Sequence, residues 1–107
     1  LQDEELLRAF LCQQLGGCTA VVCYNDEIAF HLIRTLLRAG KRVPEDVAIV
    51  SFDNSYYSTF GPVGITSAGH EPHAMGRAAA ENLLTQIRRQ PCQSVKLPWT
   101  LYQRQSG

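Results

Sequence analysis

The chain has 107 residues, 45% of them apolar and 19% charged, the size and make-up of one folded domain with no room for a second core. Ten Lys and Arg balance ten Asp and Glu, so the positive excess that a nucleic-acid backbone or an anionic membrane demands is missing. Residues 1–54 hold five basic and eight acidic side chains and residues 55–107 five and two, an asymmetry too mild for a DNA-binding arm, and no apolar run approaches the roughly 20 residues that span a bilayer.

Residues 3–15 place Leu6, Leu7, Phe10, Leu11 and Leu15 on one face of a helix, with Asp3, Glu4 and Glu5 at its positive end and Gly16 and Gly17 as its stop. The chain begins inside this pattern, with neither initiator Met nor secretory signal, and reads as a segment of a longer protein. Thr19–Tyr24 (TAVVCY) is a β-branched, almost unbroken apolar run, the signature of a strand covered on both faces in a parallel sheet. Asn25 is positioned to cap a following helix that carries Asp26 and Glu27 in its first turn, an apolar stripe of Ile28, Ala29, Leu32, Ile33, Leu36 and Leu37, and Gly40 just past its end. After the polar connector 41–46, Val47–Phe52 (VAIVSF) predicts a second buried strand, residues 53–64 an irregular segment, and Gly64–Ala68 a brief third strand. Glu71–Arg89 predicts a helix with Met75, Ala79, Leu83 and Ile87 four apart and a small-residue stripe through Ala78, Ala79 and Ala80, and Val95–Gln103 an edge strand. The alternation gives an α/β fold, a parallel sheet with flanking helices.

In an open parallel sheet, ligands bind beyond the carboxyl ends of the strands. The first strong strand ends in Tyr24, Asn25 and Asp26, the second in Asp53, Asn54 and Ser55. Neighbouring strands lie about 5 Å apart, so two Asp and two Asn would face one small volume. Carboxylates accept hydroxyl protons and amides both donate and accept, which suits a neutral polyol such as a sugar, with Tyr24, Tyr56 or Tyr57 over its apolar face. Each group also has a plain structural role open to it, Asn25 as a helix cap and Asp53 to Ser55 as a turn.

Catalysis finds less support. The sequence lacks G-x-S-x-G, G-x-x-x-x-G-K-[ST] and G-x-G-x-x-G. A Cys23–His70 nucleophile pair would need a thiolate inside the sheet, where it is disfavoured. Cys12, Cys18, Cys23 and Cys92 contain no C-x-x-C and read as free thiols of a reducing compartment, the cytoplasm. His70 and His73 form a bare H-x-x-H without a third ligand. No metal and no cofactor is implied.

The runs TAVVCYNDEIA (19–29), RVPEDVAIVSFDNS (42–55) and GITSAGHEPHAMGRAAAENLL (64–84), in this order, resemble the C-terminal part of the lactose/galactose repressor family. CYNDEIA, SFDNS and His70 are most similar to its arabinose-repressor branch. The resemblance implies one lobe region of a two-lobed, type I periplasmic-binding-protein-like domain. It implies that residues 1–107 are the C-terminal portion of a sugar-effector domain, and that a GntR-type winged helix in the rest of the protein contacts operator DNA. It further implies that Asn25, Asp26 and Asp53 contact the effector, that His70 lies at the crossover between lobes, and that Tyr24 narrows the cleft toward a pentose. Helix Glu27–Ala39 would join a homodimer contact, and helix Glu71–Arg89 would pack on the absent first lobe, its Ala stripe uncovered here. The implied function is a non-enzymatic repressor released by a sugar such as arabinose. Two alternatives stand beside it: a periplasmic sugar-binding protein of the same fold, and a Mg²⁺-dependent receiver-type module, which Lys96 fits poorly because it sits at the start of its strand, the wrong end of the sheet.

Overall fold

The computed structural model describes Glu5, Ala9 and residues 13–107; the apolar stripe predicted at Leu6, Leu7, Phe10 and Leu11, and Cys12, lie outside the described residues. Four strands form one sheet in the order β1 (Ala20–Val22), β2 (Ala48–Phe52), β3 (Thr66–Gly69) and β4 (Thr100–Tyr102). The first three run parallel, with Val22 opposite Val50 and Val50 opposite Thr66. The edge strand β4 returns antiparallel, with Gly69 opposite Thr100, so the sheet is mostly rather than wholly parallel.

Helix α1 (Asp26–Arg38) follows the expected logic closely. The Asn25 side chain accepts from the Ile28 amide at 2.9 Å, acidic residues occupy the first turn, and Gly40 adopts φ +78° where a Cβ would be strained. Its buried residues Ala29, Leu32, Ile33 and Leu36 fall at the spacing of one helix face and pack with Val47, Ile49 and Ile65 to make the core. A four-residue helix, α2 (Tyr57–Phe60), interrupts the segment expected to be irregular, and the Ser58 hydroxyl donates to the Ser55 carbonyl at 2.7 Å to close it. Below β2 and β3 the chain end stitches the strands together: Ile49 N–H donates to the Ser106 carbonyl at 2.7 Å, and the Ser106 hydroxyl donates back to the Ile49 carbonyl at 2.6 Å.

Helix α3 (Pro72–Ile87) begins as expected, with Glu71 as cap accepting from the His73 and Ala74 amides at 2.9 and 2.6 Å. Those two bonds to the ionised form hold the Glu71 carboxyl below its ordinary range. Yet the helix buries no residue. It lies along the segment before β4, where Asn82 Nδ2 donates to the Gln93 carbonyl at 3.5 Å, and the radius of gyration is 18.2 Å against about 13 Å for a compact chain of this length.

The structure also corrects the expectation of strands covered on both faces. Helix α1 covers one face; on the other, Val22 is 67% and Leu101 65% exposed. An unbroken apolar run therefore identified the strands correctly while overstating their cover.

Candidate functional site

Because β1 and β2 pair in parallel and Asp53 N–H donates to the Ala68 carbonyl at 2.8 Å, the ends of β1, β2 and β3 share one rim. The sequence-predicted polar residues do meet there, but in different states. Asp26 is fully buried. One carboxylate oxygen accepts from the Ser51 and Ser67 hydroxyls, the latter at 2.6 Å, and the other accepts from the Ser55 amide at 2.5 Å. Each donor comes from a different segment (β2, β3 and the turn after β2), so this carboxylate fastens the start of α1 to both strands. The structure places the Asp26 side chain inside the protein rather than open on the rim as expected, with three of its roughly four acceptor positions taken by protein donors. The receiver-type alternative falls with it, since that chemistry needs Asp26 and Asp53 open to one shared cation.

Asn54 is consumed in the same way. Its amide donates to the Ser67 hydroxyl at 2.9 Å, and its side-chain oxygen accepts from the Arg104 guanidinium at 2.6 Å. Asn25 uses Oδ1 to cap α1 and leaves Nδ2 without a hydrogen bond among the described residues. Tyr24 is 83% exposed beyond β1. His70 follows β3, its Nδ1 donating to the Pro98 carbonyl at 3.0 Å, an acceptor that requires the proton on this nitrogen.

Asp53 is the exception. Its carboxylate is exposed and makes no hydrogen bond among the described residues, while its backbone sits at φ +99°, followed by Asn54 at φ +50°. Backbone strain of this kind costs about 1–3 kcal/mol and persists only where the surroundings impose it. Here the imposing contacts are the Asp26–Ser67–Asn54 chain on one side and Gly69 on the other. A Cβ on Gly69 would lie 3.0 Å from the Asp53 carbonyl oxygen and 3.2 Å from the Asn54 Cβ. Only glycine lets β3 pass this close to the turn.

Other candidates are less promising. Cys23 is buried, its thiol pushed up by desolvation, which disfavours the nucleophile reading. Among the described residues no group of three or more His, Cys, Asp or Glu is placed to hold a metal. A cavity of about 480 Å³ opens at the opposite end of the sheet, between residues such as Leu15, Cys18, Thr35 and Val47. Its one carboxylate, Asp46, is already paired with Arg42 at 2.9 Å.

A family profile for the periplasmic binding protein-like domain matches residues 3–107. An arabinose metabolism transcriptional repressor of Geobacillus stearothermophilus is 42% identical over 69 residues, covering 64% of this chain and 19% of the relative. The HTH-type transcriptional regulator MalR of Streptomyces coelicolor is 41% identical over 70 residues, 65% of this chain and 20% of the relative. Among solved structures, a LacI family transcriptional regulator from Lactobacillus casei with bound glucose superposes with a TM-score of 0.73 at 31% identity, over 83% of this chain and 32% of that one. The chain thus spans about a fifth of the length of these two curated relatives. Nothing in these matches supports the expected GntR-type winged helix; the DNA-binding type that a relative's name gives is HTH.

Proposed function

The chain belongs to the periplasmic binding protein-like domain family, and on that premise we propose that it is the C-terminal portion of the effector-binding domain of a sugar-responsive transcriptional repressor. One observation carries the reading: an exposed carboxylate, Asp53, is held in a strained backbone at the ligand-binding end of a parallel sheet, with the Asn25 amide on the neighbouring strand end. Asp53 accepts from sugar hydroxyls, Asn25 donates through Nδ2, Tyr24 borders the ring, and His70 marks the crossover. Asp26 contributes by holding the turn rather than by touching the ligand. Nothing in this role calls for catalysis.

The finer identity, a pentose such as arabinose, is supported by the arabinose repressor among the relatives. In the whole protein, effector binding shifts the population toward a state with altered operator geometry, and an HTH-type domain outside these residues contacts the DNA. The protein works in the cytoplasm, as its regulator relatives and its free, exposed Cys18 and Cys92 support. A homodimer contact along α1 is supported by the exposed Leu37, two turns along the same helix face from Phe30, and by the stacked Phe30, Phe60 and Tyr56 rings.

The test is Asp53→Ala in the full-length protein, titrated calorimetrically with L-arabinose. Loss of a charge-assisted hydrogen bond weakens binding about tenfold or more while operator affinity without sugar stays unchanged. Wild-type sugar affinity in the variant removes Asp53 from the site.

A further inference from the structure

Two aromatic rings at the β2–β4 side of the rim, Phe52 and Trp99, have no task in the reading above and group with His70 there. The antiparallel register of β3 and β4, with Gly69 opposite Thr100, sets the residue before β4, Trp99, beside the residue after β3, His70. Their ring centroids lie 4.0 Å apart. Phe52, which immediately precedes Asp53, meets the indole edge-on at 5.8 Å and 75°. The Pro98 carbonyl fixes the imidazole in turn. The indole is thus braced by two rings, yet Trp99 is 60% exposed. A large flat apolar surface held rigid and open is suited to a flat apolar partner. A sugar ring offers such a surface in its C–H face, while its hydroxyl edge needs acceptors of the kind Asp53 supplies one residue from Phe52.

We propose that Trp99, braced by Phe52 and His70, is the stacking platform for the sugar ring whose hydroxyls Asp53 binds, and that it is a specificity-determining residue of the site. This rests on the sugar-binding reading and adds to it the group that holds the apolar side of the ligand. Neutral rings with an uninterrupted C–H face are favoured, and an anionic group placed on that face is rejected, since the platform offers it no donor.

The experiment compares full-length wild type, W99F and W99A by calorimetric titration with L-arabinose, D-glucose and cellobiose, together with indole fluorescence and acrylamide quenching. The platform predicts that W99A weakens the best-bound sugar about tenfold and W99F about threefold. It also predicts that sugar shields an indole from acrylamide in wild type and that this response disappears in W99F. Affinities equal to wild type in W99F and W99A overturn the platform while leaving Asp53 in place. An indole at position 99 already shielded without sugar and unchanged by it, because another part of the protein covers it, overturns the platform too. If W99A unfolds, W99F carries the test, since it keeps a ring between Phe52 and His70: wild-type affinity there is a failure. Binding of none of the three sugars by wild type overturns both the platform and the reading beneath it.

Discussion

Helices α1 and α3 differ in what their apolar residues do. In α1, Ala29, Leu32, Ile33 and Leu36 lock onto the sheet, and the helix start carries Asn25 and Asp26 into the rim. In α3, a longer helix with an equally sound cap, no residue is buried, and Leu83, Leu84 and Ile87 face solvent. Capping and propensity therefore start a helix but do not dock it; a stripe of bulky aliphatics facing a complementary sheet does. The functional consequence is that the Asp53 end of the rim is rigidly built by this chain itself, whereas the α3 side has its architecture without its contacts.

Deleting side chains from the two helices breaks this comparison most strongly. Ile33→Ala, at a site only 1% exposed, is expected to cost about 2–5 kcal/mol in urea unfolding of these 107 residues. Leu84→Ala in α3 is expected to change stability by no more than about 0.5 kcal/mol. Equal losses would mean that α3 is docked in solution.

Next comes the anchor at the start of α1. Asp26→Ala leaves two serine hydroxyls and the Ser55 amide without their acceptor and is expected to cost about 3 kcal/mol. Among molecules that remain folded, it should also broaden the amide signals of Asp53 and Asn54 as the turn relaxes. A sharp, unshifted turn in that variant would show that Asp26 does not hold it.

Gly69→Ala sharpens the same point at lower cost. Contacts of 3.0–3.2 Å to the Asp53–Asn54 turn predict about 1–2 kcal/mol of destabilisation. They also predict loss of sugar affinity in the full-length protein without loss of operator binding. Unchanged sugar affinity would uncouple the close approach from the site.

The smallest effect belongs to the exposed connector after α1. Arg42 holds the Asp46 carboxyl down to about 2 through paired hydrogen bonds. A lowered folded-state value means that this pairing stabilises the fold above the ordinary carboxylate value of 3.8 and that its contribution fades as pH falls from there toward about 2. Asp46→Asn should flatten that stretch of the acid-unfolding curve slightly; a large change would mean the connector is more deeply embedded than its exposure indicates.

The sequence carried α1 and β2 almost residue for residue, because their periodicity and the punctuation at Asn25 and Gly40 are local signals. It missed α2, whose Tyr57, Ser58, Thr59 and Phe60 have no helical pattern and fold through the local Ser58 bond and packing on α1. It placed Asn25, Asp26 and Asp53 on one rim but assigned Asp26 outward. The facts that turn it inward, the inward-facing hydroxyls of Ser51 and Ser67, lie 25 and 41 residues away. The Arg104–Asn54 contact spans 50 residues and left no trace in any motif. Trp99 falls in the middle of the edge strand predicted over Val95–Gln103 and is not singled out there, although a lone Trp after Pro98 is a signal to ask what the indole meets.

The claim that the β1–β3 rim takes the sugar is tested most directly by a crystal structure of the full-length protein grown with L-arabinose. The account predicts a sugar hydroxyl within about 3 Å of the Asp53 carboxylate. A sugar lodged instead in the cavity between Leu15, Cys18 and Val47 at the opposite end of the sheet, with Asp53 left in water, would contradict it.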